Sequence, residues 1–185
     1  PYVAYVRPDS KPLAGSSGHW GKIKDVLDPS FEASIRRKLS EPGLVETIED
    51  PMCIGYFVDN ELTLGDETAM AVAALQSPAD QSAKWVFLSA LKQKYGTIDA
   101  LNTAWQTDYA SWPAMLEATQ APEGEGAHAD FVAFNTKFVR AYFSTIHRVL
   151  EEVAPNHLYL GCRYGSNAQI TPVVLGANAE FADVV

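Results

Sequence analysis

Six consecutive residues, Cys53-Ile54-Gly55-Tyr56-Phe57-Val58, are apolar, aromatic or small, with no charged or amide side chain among them. A strand with one wet face alternates apolar and polar side chains, whereas a strand covered on both faces does not. The run therefore predicts a parallel strand in an α/β layer structure, because parallel neighbours need long, usually helical crossovers. Three further runs, 1–6, 157–161 and 182–185, read as strands of the same kind.

Helical segments fill the gaps. Asp28-Pro29 supplies an N-cap and a proline at the first helical position, where a missing N–H costs nothing. Phe31, Ile35 and Leu39 then share a face before Pro42-Gly43 interrupts. Ser77-Pro78 is expected to open a helix with Trp85, Leu88, Leu91 and Tyr95 on its buried stripe and Gly96 as its stop. Thr97 caps a short helix in which Ile98, Leu101 and Trp105 share a face. The longest helix is predicted over 129–153, where Phe131, Phe134, Phe138, Tyr142, Ile146, Val149 and Val153 follow the 3.6-residue period, with Pro155 ending it. Alternating strands and helices indicate a parallel α/β fold. Residues 62–127 are too many for an ordinary crossover and read as a helical excursion packed on one end of the sheet.

Composition excludes several classes of function. A chain of 185 residues that is 47% hydrophobic suits one globular domain. No stretch approaches the roughly 18–20 apolar residues of a membrane-spanning helix. Fourteen basic against 23 acidic side chains give a formal charge of −9, which opposes nucleic-acid binding and suits neutral or cationic small molecules. Cys53 and Cys162 lie outside any CxxC or Cys/His cluster, so they form neither a disulfide framework nor a zinc site and are expected reduced and buried. GxSxG, GxGxxG and HExxH motifs are absent, and Gly15–Lys22 fails as a phosphate loop because Ile23 stands where Ser or Thr is needed. No cofactor or metal is expected. Both ends of the sequence lie inside strand-like apolar segments, Pro1–Val6 and Phe181–Val185, so the sequence reads as a piece of a longer protein.

In parallel α/β folds, functional groups gather at the C-terminal ends of strands. Asp59-Asn60-Glu61 stands there, directly after the run 53–58. The Asn-Glu pair is weak by itself: six Asn and twelve Glu would give about 0.4 such dipeptides by chance. A carboxylic acid partly desolvated at a strand end can be held protonated near neutral pH and act as a general acid. A solvated loop carboxylate would have the same local sequence, so residue type and position leave both readings open.

The wider stretch resembles glycoside hydrolases of the clan with a (β/α)8 barrel and two catalytic glutamates, most closely the family-50 β-agarases and next the family-42 β-galactosidases. The likeness runs in order through Pro1-Tyr2-Val3-Ala4 to Arg7-Pro8 (third barrel strand), His19-Trp20-Gly21-Lys22 and Asp25–Phe31 (substrate loop entering the third helix), Ile54–Leu62 (fourth strand with Asn-Glu), Lys94–Trp105 (helical insertion), Leu158–Tyr164 (fifth strand) and Ala182–Val185 (sixth strand). The resemblance implies an α/β fold that is a partial (β/α)8 TIM barrel, about strands 3 to 6. Residues 1–185 would form a single incomplete TIM-barrel catalytic domain, with the excursion 62–127 within it. It also implies a retaining hydrolase acting on a β-galactoside-containing poly- or oligosaccharide such as agarose, which is compatible with secretion or a periplasmic location.

Carried over by residue, the resemblance makes Glu61 the acid/base and gives Asn60 the 2-hydroxyl of the sugar at the cleavage point. The clan's nucleophile, a Glu ending the seventh strand, has no match here. Glu180 precedes the sixth-strand segment and is not assigned, so these residues alone are expected to be inactive. Leu64 departs from the agarase pattern, which would have a Trp platform there. His19 and Trp20, after Gly15-Ser16-Ser17-Gly18, are read as substrate-binding residues on a mobile mouth loop, or else as loop aromatics pinned to the core. Arg163 and Tyr164, ending the fifth strand, are read as substrate-binding, or as partners of an internal salt bridge. Trp85, Trp105 and Trp112 are expected to pack between helices, Asp59 to hold its neighbours in place, and His128 and His147 to be surface or packing residues. The expected partner is a carbohydrate. The rival reading is a catalytically inactive, self-associating barrel fragment or carbohydrate-binding protein, a homo-oligomer when expressed alone, because four strands leave two raw sheet edges.

Overall fold

The structure is a computed structural model that describes residues 1–165 and 170–184. Strands β1 (Tyr2–Val6), β2 (Cys53–Val58) and β3 (Leu158–Tyr159) form a parallel sheet in the order β1-β2-β3. Tyr5 pairs with Phe57 and Val6 with Val58, after an irregularity between Tyr2 and Ala4, while Gly55 and Tyr56 pair with Leu158 and Tyr159.

One face of this sheet is covered. Ala4, Val6, Tyr56, Val58 and Tyr159 are buried there. The spine beneath them is α6 (His128–Val153), which packs against α1 (Pro29–Leu39), α2 (Ala69–Leu75) and α7 (Pro172–Phe181). Its stripe from Phe131 to Val149 is buried as the periodicity predicts, and the Tyr142 hydroxyl reaches the Val58 carbonyl at 3.1 Å. Arg36 of α1 and Arg148 of α6 share Glu32, which ties the two helices at the surface. On the opposite face Val3, Tyr5 and Leu158 are exposed and Phe57 is half-buried. The run 53–58 predicts two covered faces; among the described residues only one is.

Two strand expectations are corrected. The run 157–161 is a ladder only at Leu158 and Tyr159, because Gly161 takes φ +74° and turns the backbone. Pairing with β2 continues irregularly past it, through Leu160 N–H to the Tyr56 carbonyl at 2.9 Å and Val58 N–H to the Gly161 carbonyl at 3.0 Å. The segment 182–185 forms no strand over Ala182–Val184, and Val185 lies outside the described residues. Asp183 alone engages β3: its N–H donates to the Tyr159 carbonyl at 2.9 Å and its carboxylate accepts the Tyr159 N–H at 2.7 Å. A side chain supplies the second bond, so no backbone ladder builds.

Residues 62–127 hold α2, α3 (Ser82–Tyr95), α4 (Ile98–Trp105) and α5 (Trp112–Glu117). Helix α3 starts at Ser82 rather than at Ser77-Pro78. Ser77 instead finishes α2, donating to the Ala73 carbonyl at 2.8 Å and accepting the Gly15 N–H at 2.9 Å. The first turn of α3 is capped from far away by the fully buried Asp25, which accepts the Ala83 N–H at 2.9 Å and the Gln81 side-chain amide at 2.6 Å. Ala83, Lys84, Phe87, Leu88 and Leu91 form its buried face. Trp85 is exposed instead of packed, whereas Trp105 is buried and Trp112 is half-buried. The Lys84 ammonium takes the carbonyls of Ser77 and Ala118, just beyond the ends of α2 and α5, where the helix dipole favours a cation. Asp130 of α6 accepts from Lys94 at 2.6 Å, Tyr95 at 2.7 Å and the Trp105 indole at 2.9 Å, joining α3 and α4 to the spine. Helix α7 has no counterpart in the sequence reading, although Thr171-Pro172 caps it in the ordinary way. No described helix is long and apolar enough to cross a membrane.

Candidate active site

Asp59-Asn60-Glu61 follows directly on β2, and the tripeptide is clamped from both sides. The Asp59 N–H donates to the Val6 carbonyl at the end of β1 (3.0 Å), and the Glu61 N–H donates to the Arg163 carbonyl beyond β3 (2.7 Å). Asn60 bridges Arg163 in parallel register. Three described non-glycine residues have positive φ: Asp59 (59°), Glu61 (53°) and Gln106 (58°). Gln106 caps α4, where the left-handed region is ordinary. The other two flank Asn60, and such strain persists only where neighbours hold it in place.

The two carboxyls meet different surroundings. Asp59 is buried beside the Tyr142 hydroxyl, 3.2 Å away. Burial pushes its carboxyl up to about 6; the hydroxyl, Lys24 and Arg7 pull the other way without cancelling it. Glu61 is half-buried, and its Oε2 accepts the Trp20 indole N–H at 2.9 Å. Gly165 packs on its other side: a Cβ there would lie 2.7 Å from Glu61 Cγ and 3.0 Å from Oε1.

A cleft of about 280 Å³ opens over this strand end, and Asp59, Asn60, Glu61, His19, Trp20 and Arg163 all line it. The structure thus brings together five of the six residues singled out as site candidates. The loop carrying His19 and Trp20, expected to be mobile, is fastened at its base. Pro12 and Lys24 form an antiparallel bridge, Leu13 and Ile23 are buried, and Ala14 N–H donates to the Gln81 side chain at 3.1 Å. The two rings meet edge-on at 4.8 Å, and Trp20 remains 59% exposed, leaving its ring open to the cleft. Tyr164 is the exception. It is half-buried against the core, its hydroxyl is buried, and it does not line the cleft. The turn at Gly161 sets the phase so that Arg163 meets the cleft and its neighbour turns away.

Sequence reasoning passed over several lining residues. Tyr5 and Arg7, at the end of β1, could have been found by the same strand-end rule, whereas Lys22, Lys24 and Thr63 carry no local signal. Tyr142 reads simply as part of a helical stripe, and only the fold turns its hydroxyl toward Asp59. Leu64, where a Trp platform was missing, is buried in the core. Both cysteines are free and buried, and burial pushes the Cys162 thiol up to about 12.

Residues 46–173 match the family model described as β-galactosidase, of the glycoside hydrolase 42 group. The chain is 35% identical to β-agarase A of Vibrio sp. (strain JT0107) over 185 aligned residues, covering 91% of this chain and 18% of the relative. It is 30% identical to β-agarase B of the same organism, covering 100% of this chain and 20% of that one. A solved exo-β-agarase superposes with a TM-score of 0.84 at 30% identity, over 99% of this chain and 26% of that one. The chain thus spans about a fifth of the length of the curated relatives it matches. With a family model matched over most of its length and agarases as relatives, the chain belongs to the β-galactosidase family of glycoside hydrolases.

Proposed function

We propose that these residues form the acid/base half of a retaining β-glycosidase acting on a β-galactoside-containing polysaccharide or oligosaccharide such as agarose. The observation that carries the reading is Glu61: a carboxyl at a parallel strand end, held in a left-handed backbone conformation and lining a cleft beside an exposed tryptophan. In this mechanism Glu61 protonates the glycosidic oxygen as the bond breaks, then takes a proton from the water that releases the sugar. Asn60 hydrogen-bonds the 2-hydroxyl of the sugar at the cleavage point. The Trp20 ring stacks on a sugar face, and His19 and Arg163 bind hydroxyls. The agarase names of the relatives favour a galactose-containing substrate.

The fold reading is one side of a (β/α)8 barrel with its interior on the uncovered face of the sheet, β1 to β3 standing as its third, fourth and fifth strands. That would explain why β2 is apolar on both faces. Residues 1–185 would then belong to one catalytic domain with 62–127 as an excursion. Retention needs a second carboxyl about 5–5.5 Å from the first. Glu180 is not proposed for it, because Arg140 of α6 holds its carboxylate at the surface of α7. The nucleophile is sought outside residues 1–185, and these residues by themselves are expected to be inactive.

The test is Glu61→Gln in the protein as its gene encodes it. Hydrolysis of agaro-oligosaccharides should fall by about a thousandfold or more, within the range expected for loss of general acid catalysis. Wild-type turnover would remove Glu61 from the mechanism.

A further inference from the structure

Trp20 does more at this site than offer a ring. Its indole nitrogen is 2.9 Å from Glu61 Oε2, and an indole N–H can only donate. The oxygen it meets is therefore an acceptor and does not hold a proton aimed at Trp20. We infer that Trp20 is a positioning residue for Glu61, whose N–H fixes the carboxyl at the cleft and strengthens its bond to Oε2 as the transferable proton leaves. The inference rests on the reading of Glu61 as the acid/base.

In the step concerned, the proton passes from the Glu61 carboxyl to the glycosidic oxygen, and the electron pair of the breaking C–O bond stays on that oxygen. Glu61 changes from a neutral acid to a carboxylate. A hydrogen bond to an ionised acceptor is roughly twice as strong as one to a neutral acceptor. The Trp20 bond is thus worth more in the transition state than in the ground state, which is the condition for an interaction to raise the rate. The surroundings favour a fixed geometry. The loop bearing Trp20 is closed at its base by the Pro12–Lys24 bridge, and Lys22 is fastened across it to the Ala14 carbonyl. Opposite, the absence of a side chain at Gly165 leaves Glu61 its space.

The experiment compares Trp20→Phe, Glu61→Gln and the double variant, on agaro-oligosaccharides and on aryl β-galactosides whose leaving groups run from methoxyphenol to dinitrophenol. Phenylalanine keeps a stacking ring and removes the donor, and glutamine keeps an acceptor for the indole. Trp20→Phe should lower kcat/KM about tenfold on the oligosaccharide and on methoxyphenyl galactoside, as expected for one charge-assisted hydrogen bond. The loss should narrow to about twofold for dinitrophenolate, which departs with little protonation. In the Glu61→Gln background Trp20→Phe should add no further loss. A loss equal across all leaving groups, or one that multiplies fully with that of Glu61→Gln, would make Trp20 a platform only and overturn the inference. An unchanged kcat/KM would do the same. Undiminished hydrolysis by Glu61→Gln alone would instead strike the acid/base reading itself, and with it the reason for this one.

Discussion

Asp59 and Glu61 are separated by one residue, and the fold treats them oppositely. The buried Asp59 has a folded-state pKa of about 6 against roughly 3.9 unfolded. The raised value means that its protonated form stabilises the fold below about pH 4, and that this contribution is lost as pH rises through about 6. Above that, a buried carboxylate costs up to about 3 kcal/mol. Asp59→Asn should therefore raise stability by about 2 kcal/mol at pH 8 and leave it nearly unchanged at pH 4, read by urea unfolding at both values. An equal effect at both would mean that the carboxylate is compensated. Glu61 depends on the space at Gly165: Gly165→Ala should lower kcat about ten- to a hundredfold by displacing it, with the melting curve little changed. A wild-type kcat in that variant would show that Glu61 tolerates the shift. The strand end that carries Asn60 and Glu61 is legible locally, while the roles proposed for them come from the family resemblance. The Trp20–Glu61 bond is not legible in this way, because 41 residues separate its partners.

Elements with local signals were equally legible. Asp28-Pro29 opens α1, Thr97 caps α4, and the aromatic period of α6 is that of the structure. Helix α3 begins later than its sequence suggests because its first amides are capped by Asp25, 58 residues away, while the nearby Ser77-Pro78 offers a cap four residues before the actual one at Gln81. Helix α2 shows no readable period because Ala-Met-Ala-Val-Ala-Ala-Leu has no polar face, and its cap comes from far away: Asn135 of α6 accepts the Met70 N–H at 3.0 Å. The excursion is joined to α6 by Asp130, where Lys94, Tyr95 and Trp105 converge. Burial pushes the Asp130 carboxyl up, and the three hydrogen bonds outweigh it, holding the group below the ordinary carboxylate range. Asp130→Ala should cost about 2–4 kcal/mol, because the indole N–H and the tyrosine hydroxyl would lose their acceptor. A urea midpoint at the wild-type value would show that solvent or another side chain replaces it.

At the scale of the molecule, the sheet has one covered face, and the other presents Val3, Tyr5 and Leu158. Parallel sheets are ordinarily covered on both. Residues 1–185 expressed by themselves should therefore self-associate as concentration rises, in sedimentation or light scattering. A monodisperse monomer would show that the face tolerates water. The order strand, helix, strand was readable because parallel strands need crossovers. The third strand is shorter than the run 157–161 suggests, since the left-handed turn at Gly161 cuts the ladder after two residues. On the function proposed above, Glu61 gives and takes the proton in a double-displacement reaction. The most direct test of this role is Glu61→Ala in the protein as encoded, with dinitrophenyl β-galactoside and sodium azide. Turnover should be slow and accelerated by azide, giving β-galactosyl azide, because the small anion needs no general base and attacks the glycosyl-enzyme from the vacated side. Turnover indifferent to azide, or an α-galactosyl azide product, would contradict it.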